Sequence, residues 1–165
     1  EAQAADEFSR TEGGFSRFNF DVNHVSKLSK VTQFYIFAHG QLANRNLDSS
    51  EQFYLGGADA VRADPEGEAG GDSGYQATAE LRYQTPVKGM SMTLFADVGE
   101  VLARKDGDTS DPHRRLAGWG IGAVYSLDRS LYARLDYARK IKGESYRSEA
   151  EDKNGRLWFR LYKLF

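Results

Sequence analysis

Apolar and polar side chains alternate with period two through most of this chain, and helical periodicity is weak. That pattern restricts the fold to extended strands that are apolar on one face. In 75–84, Tyr75, Ala77, Ala79, Leu81 and Tyr83 share a face opposite Gln76, Thr78, Glu80, Arg82 and Gln84. In 90–99, Met90, Met92, Leu94, Ala96 and Val98 oppose Ser91, Thr93, Phe95, Asp97 and Gly99. In 117–127, Trp119, Ile121, Ala123 and Tyr125 oppose Gly118, Gly120, Gly122 and Val124. In 131–140, Leu131, Ala133, Leu135 and Tyr137 oppose Arg134, Asp136 and Lys140, and at the C-terminus Leu157, Phe159 and Leu161 oppose Arg156, Trp158 and Arg160. Less regular strands are expected at about 14–28, 32–45 and 51–56, for about eight in all.

The connections alternate in length. Those at 57–73, 105–114 and 144–154 are long, whereas Asn46–Ser50, Pro86–Gly89 and Asp128–Ser130 are short. Only Ser29–Val31 is tight where a long connection is due. Short turns on one side and long polar loops on the other are the habit of an outer-membrane β-barrel.

The alternating faces also fit a soluble sandwich or barrel with its apolar side inward. Two placements favour lipid. Aromatics bracket the apolar stripes, Tyr75 with Tyr83 and Trp119 with Tyr125. Eight residues at about 3.3 Å each, tilted about 40°, rise roughly 20 Å, close to the ~25 Å apolar band between aromatic girdles. Charges on the apolar faces (Glu100, Arg139 and Lys163) fall only near strand ends, where their cost in a membrane almost vanishes. The expected fold is therefore all-β: an antiparallel transmembrane β-barrel, as half of a sixteen-stranded barrel or as a small closed one. Residues 1–13 are read as a lead-in segment, and 14–165 as the barrel segment with a loop at about 57–73 folded into the lumen.

Composition removes other classes. With 22 basic against 24 acidic residues and a formal net charge of -2, there is no basic field for nucleic acid. The chain has no cysteine, hence no disulfide, cysteine–zinc site or thiol nucleophile. No apolar run approaches the ~18 residues of a membrane helix. The first ten residues, "EAQAADEFSR", lack the basic and apolar regions of a signal peptide, so the chain is expected to begin after processing or within a longer protein.

The stretch from Asn46 to Tyr83, "NLDSSEQFYLGGADAVRADPEGEAGGDSGYQATAELRY", resembles the two-partner secretion transporters of Gram-negative outer membranes. These are the haemolysin secretion/activation proteins, related to the filamentous-haemagglutinin transporter. The shared pattern is a Tyr-Leu-Gly-Gly strand end, a Val-Arg-(Gly/Ala)-aromatic tetrad, a Gly-rich acidic segment with Gly-Asp-x-Gly, and a strand closing on Glu-Leu-Arg-Tyr. A second motif, aromatic-x-Asp-x-Gly, is met by Phe95, Asp97 and Gly99. The resemblance runs over nearly all of the chain.

The resemblance implies an outer-membrane segment that exports a large exoprotein of haemolysin or adhesin type, without enzymatic activity or cofactor. The tetrad Val61, Arg62, Ala63 and Asp64 would ride on the lumen loop, and Arg62 would pair with Asp97 to anchor it. Gly56, Gly57, Gly71, Asp72 and Gly74 would hinge the loop. Phe159, Leu161 and Phe165 would form the C-terminal signal read by the barrel-insertion machinery. The implied partners are outer-membrane lipid, that machinery and, in the full-length protein, the exoprotein. Asp64 departs from the tetrad's aromatic and is expected to compete with Asp97 for Arg62. The family's periplasmic domains and first strands have no counterpart here, so the match begins about halfway round the barrel. A stand-alone eight-stranded structural or adhesion barrel and a soluble ligand-binding β-barrel remain as alternatives.

Other candidates carry less. "GGDSGY" contains the four letters around a trypsin-like nucleophile, yet Ser73 has no histidine in a suitable context. It is read as the point where the loop re-enters the wall, with Gly70, Gly71 and Gly74 permitting the turn. His39 is expected to face the lumen and His113 to lie in an external loop. The acidic group Asp64, Glu66, Glu68 and Asp72 lacks a calcium-loop pattern, and no metal site is expected. The glycines of "GWGIG" open no helix and are read as leaving lumen space for the loop.

Overall fold

The computed structural model describes residues 14–102, 113–128, 130–141 and 155–165. Its strands are β1 (Arg17–Lys27), β2 (Thr32–Ala43), β3 (Phe53–Leu55), β4 (Ala69–Gly71), β5 (Ser73–Gln84), β6 (Met90–Leu102), β7 (His113–Ser126), β8 (Leu131–Lys140) and β9 (Gly155–Lys163), with a 3-10 turn at Ser49–Glu51. Seven of them form one antiparallel sheet in the order β1-β2-β5-β6-β7-β8-β9, and β3 pairs with β4 separately. Among the described residues β1 and β9 do not pair, so the sheet is an open wall and not a small closed barrel. The expected lead-in segment 1–13 and most of the expected loops 105–114 and 144–154 lie outside the described residues.

The strand expected at 51–56 exists in part, as β3, but it is not in the wall. It pairs with β4 inside the connection between β2 and β5. Asn46–Ser50 is consequently not a hairpin turn between wall strands. With β3 and β4 removed from the wall, the turn at 28–31 falls where a short one belongs, and long and short connections alternate without exception. Local chemistry closes the short turns. The Ser29 hydroxyl accepts from the N–H groups of Val31 and Thr32 at 3.2 and 3.0 Å. Asp128 accepts from those of Ser130 and Leu131 at 2.6 and 2.8 Å. Gly89 adopts φ 81°, a left-handed conformation that favours glycine.

The register fixes which face is which. Leu81 opposes Leu94, Leu94 opposes Ile121, and Leu135 opposes Phe159. Leu81, Leu94, Ile121 and Leu135 keep 39%, 52%, 51% and 45% of their surface exposed, so they do not converge on a dry interior. The opposite face carries Glu80, Asp97 and Asp136, all buried beneath the β2–β5 connection. Apolar side chains pack there too: Phe53, Leu55, Val61 and Ala69 of the connection against Val101 and Leu116 of the wall. The core thus lies on the polar side of the sheet, reversing the arrangement of a soluble sandwich. No described helix is long and apolar enough to cross a membrane, which leaves crossing by strands untouched.

Three placements differ from expectation. His113 begins β7, and its ring contacts Glu100 at 2.7 Å. Pairing of His113 with Leu102 extends that strand, so Trp119 sits in its interior and not at its end. Gly70, Gly71 and Gly74 do not make the turn. The left-handed glycines of the connection are Gly56, Gly57 and Gly67, at φ 90°, 111° and 67°. Gly74 is needed for close approach, since a Cβ there would meet Val101 Cγ1 at 2.7 Å.

Candidate functional site

Between β3 and β4 the chain reverses at Gly56 and Gly57 and lays the segment 58–64 across the inner face of the wall. Gly57 N–H donates to the Asp64 carbonyl at 3.1 Å, closing this tip on itself. Arg62 is 3% exposed and Asp97 1%. The guanidinium donates through Nε to Asp97 Oδ2 at 2.9 Å and through Nη2 to Asp97 Oδ1 at 2.7 Å, a fork that matches the two carboxylate oxygens. Nη1 donates to Glu80 Oε1 at 2.9 Å. The guanidinium also lies over the Phe95 ring, 3.4 Å from its centroid. Phe95 and Asp97, two residues apart on β6, therefore meet one arginine by stacking and by charge. The third motif residue, Gly99, is small because Leu55 occupies the space beside it: an added Cβ would sit 2.6 Å from Leu55 Cδ2.

Around this contact runs an ion-pair cluster. Arg134 donates to Asp136 at 2.7 Å and to Glu80 at 3.1 Å. Arg82 donates to Glu80 at 2.7 Å and stacks on Tyr35. Arg160 donates to Asp136 at 3.0 Å and pairs with Asp59 of the tip. Thr78 donates its hydroxyl to Asp97 at 2.9 Å. The cluster borders a cavity of about 390 Å³ on the wall's inner side, lined in part by Tyr35, Phe37, His39 and the four arginines.

The remaining tetrad residues are accounted for by packing. Val61 joins the apolar core and Ala63 rests on Gly118, where a Cβ would come within 2.5 Å of the alanine methyl. Glycine in "GWGIG" therefore makes room for the tip at Gly118 and for Phe95 at Gly120. Asp64 does not compete for Arg62. It points to β8, where Lys140 Nζ stands 2.9 Å from its Oδ1. Burial raises the Asp64 carboxyl above the ordinary value of 3.8, and Lys140 offsets only part of that.

Asp72 accepts from Leu47 N–H at 3.1 Å and Gln52 Nε2 at 3.0 Å, tying the base of the connection together. Ser73 Oγ accepts from Ala43 N–H at 2.9 Å, a structural bond between β5 and β2. Glu66 accepts from Ala58 N–H. Among the described residues no group of histidines and carboxylates could hold a metal ion. Phe159 and Leu161 lie exposed on the outer face of β9, and Phe165 is exposed beyond it.

Sequence reasoning brought Arg62 and Asp97 together but missed Glu80, Asp136, Trp158, Arg160 and Lys140. All five sit on polar strand faces. A carboxylate or indole in mid-strand on such a face is the signal that could have marked Glu80, Asp136 and Trp158; Arg160 and Lys140 carry no such local signal.

An open antiparallel wall, greasy outside and ion-paired inside, with a loop latched to its inner face by an arginine, defines a segment of a membrane β-barrel. The family model described as "Haemolysin secretion/activation protein ShlB/FhaC/HecB" matches residues 1–125, and the chain belongs to that family. Members of the family are outer-membrane β-barrel transporters. The chain is similar to the heme/hemopexin transporter protein HuxB of Haemophilus influenzae. Identity to the strain 86-028NP protein is 33% over 98 residues, covering 58% of this chain and 17% of that protein. Identity to the Rd-strain protein is 34% over 88 residues, covering 52% and 16%. The chain thus spans about a sixth of the length of these curated relatives. Its fold is similar to that of CdiB from Acinetobacter baumannii, with TM-score 0.68 at 21% identity, covering 90% of this chain and 27% of that one.

Proposed function

We propose that this chain is part of an outer-membrane transporter that exports a large exoprotein of haemolysin or adhesin type by two-partner secretion. The observation that carries the proposal is the inward latch: a long loop held by a buried arginine on the side of the wall away from lipid. In this reading residues 14–165 belong to the membrane barrel, and the outer face meets lipid. Phe159, Leu161 and Phe165 are the signal for the insertion machinery. The exoprotein passes as an extended chain along the inner face, without nucleotide hydrolysis. Arg62, Asp97 and Glu80 set whether the loop lies in that path.

The test uses the full-length transporter to which this chain belongs, with its exoprotein, in a Gram-negative host lacking both. The protein should fractionate with outer membranes, migrate heat-modifiably and release exoprotein to the medium. Neutralising the latch by Arg62→Gln or Asp97→Asn should reduce release while leaving the barrel inserted. Recovery of the wild-type chain in the soluble fraction without detergent would overturn the membrane reading. Full release by both variants would overturn the role of the latch.

A further inference from the structure

β5 and β6 hold the Arg62 guanidinium, the Arg62 N–H and the Asp59 carbonyl, and β9 holds the Arg62 carbonyl. Arg62 is buried, so both of its peptide groups need partners. Its N–H donates to Asp97 Oδ2 at 3.2 Å. Its carbonyl accepts from the indole N–H of Trp158 at 2.7 Å. Three residues earlier, Asp59 pairs with Arg160. Trp158 and Arg160 are neighbours on the inward face of β9, opposite Asp136 and Arg134 of β8.

These contacts differ in what they constrain. An arginine side chain is long and flexible, so its head can keep both carboxylates while the backbone behind it shifts. A buried carbonyl with a single directional donor has no such slack: moving the tip strands the acceptor. The tip is therefore tied to β5 and β6 through the arginine head, the Arg62 N–H and the Asp59 carbonyl, while the position of the Arg62 carbonyl is set from β9.

We propose that Trp158 and Arg160 are positioning residues that fix where the tip lies across the wall and couple its docking to the final strand of the sheet. Without the indole N–H the Arg62 carbonyl is buried and unpaired, and the tip moves off even though Asp97 and Glu80 are intact. Without Arg160, the Asp59 side chain loses its partner on β9, and the Asp59 carbonyl is left with Gln76 of β5, so the tip shifts away from β9.

The tip contains its own reporter, because trypsin cuts after Arg62 only when that residue leaves the wall. The full chain, folded in detergent, is digested briefly and the cut at Arg62 is quantified by mass spectrometry. Arg82 and Arg134, which sit in wall strands, are the internal references. Trp158→Phe keeps the ring and removes the donor; Arg160→Gln keeps length and removes the charge. Trp158→Phe should speed cleavage at Arg62 roughly 5- to 160-fold, the range expected for stranding one buried polar group; Arg160→Gln, which strands only the exposed Asp59 carboxylate, should speed it roughly 2- to 5-fold, with the references unchanged in both. The Arg160 variant decides the matter should the Trp158 variant not fold. Cleavage at Arg62 at the wild-type rate in the variants that fold overturns the proposal. So does acceleration that is equal at all three sites, which means a loosened wall and not a displaced tip. The readout is tip position alone, so it is independent of whether the chain exports anything.

Discussion

Gly118→Ala isolates tip docking from every charge in the site. A Cβ at position 118 would stand 2.5 Å from Ala63 Cβ and 3.2 Å from the Arg139 carbonyl. The second distance is tight but tolerable; the first cannot be met while the tip stays in place. Crowding one methyl into a packed contact costs about 1–3 kcal/mol, which weakens docking roughly 5- to 160-fold. The wall itself feels the opposite effect. Gly118 is in strand β7 without a left-handed φ, so alanine there should stabilise the sheet by about 0.5–1 kcal/mol through reduced backbone freedom. Hydrogen–deuterium exchange of the full chain, read by mass spectrometry, separates the two. Amides of 57–66 should lose protection while those of β6 and β7 hold theirs. Ala63→Gly added to Gly118→Ala moves the methyl from one side of the contact to the other and should restore loop protection. Unchanged protection at 57–66 in the single variant, or failure of the double variant to recover, would refute the steric account.

Other outcomes follow from the same geometry. Asp97→Asn leaves Arg62 bonded to Glu80 but removes the charge behind two short bonds; loop docking should weaken by about 1.5–3 kcal/mol in the same exchange measurement. Exchanging the two charges, Arg62→Asp with Asp97→Arg, should restore docking only in part, because an aspartate at 62 would face Glu80. Asp64 is held above the ordinary carboxylate value when docked, so the docked state binds more protons than the undocked one. Its contribution to docking is fully present below about pH 4 and is lost as pH rises through the docked-state value. Asp64→Asn should therefore strengthen docking at neutral pH, with the gap from wild type closing on acidification. Leu55→Ala empties a fully buried position between β3 and Gly99 and should destabilise the connection by about 2–5 kcal/mol, seen as early melting of protection at 53–71 with the wall intact.

The wall was legible because period-two patterning reports directly which face meets which environment. The faces containing Leu81, Leu94 and Leu135 follow from the residues alone. What misled was β3. Phe53 and Leu55 alternate with Gln52 and Tyr54 as a wall strand would, and the apolar pair is indeed buried, but against the inner face of the sheet. Local alternation cannot distinguish burial in lipid from burial under a loop. The warning lay further off, in the tight turn at 28–31 that broke the alternation of loop lengths. The Arg62–Asp97 contact was reached through a motif resemblance, since residues 35 apart on a loop and a strand share no local pattern. Asp64 was misassigned for a similar reason: Lys140, its partner, arrives from β8, and nothing near position 64 announces it.

The wall's own share of the ionic cluster is three guanidiniums, from Arg82, Arg134 and Arg160, and three carboxylates, from Glu80, Asp97 and Asp136. To that cluster the tip adds one ion of each sign, Asp59 and Arg62, and beside it Asp64 pairs with Lys140. Lifting it takes Asp59 and Arg62 out of the cluster and leaves three charges of each sign, in which Glu80 keeps Arg82 and Arg134, Asp136 keeps Arg134 and Arg160, and Asp97 keeps the Thr78 hydroxyl. Most of the patch heals itself in this way; the carboxylate left without a cation is Asp97, the one that receives Arg62 when the tip returns.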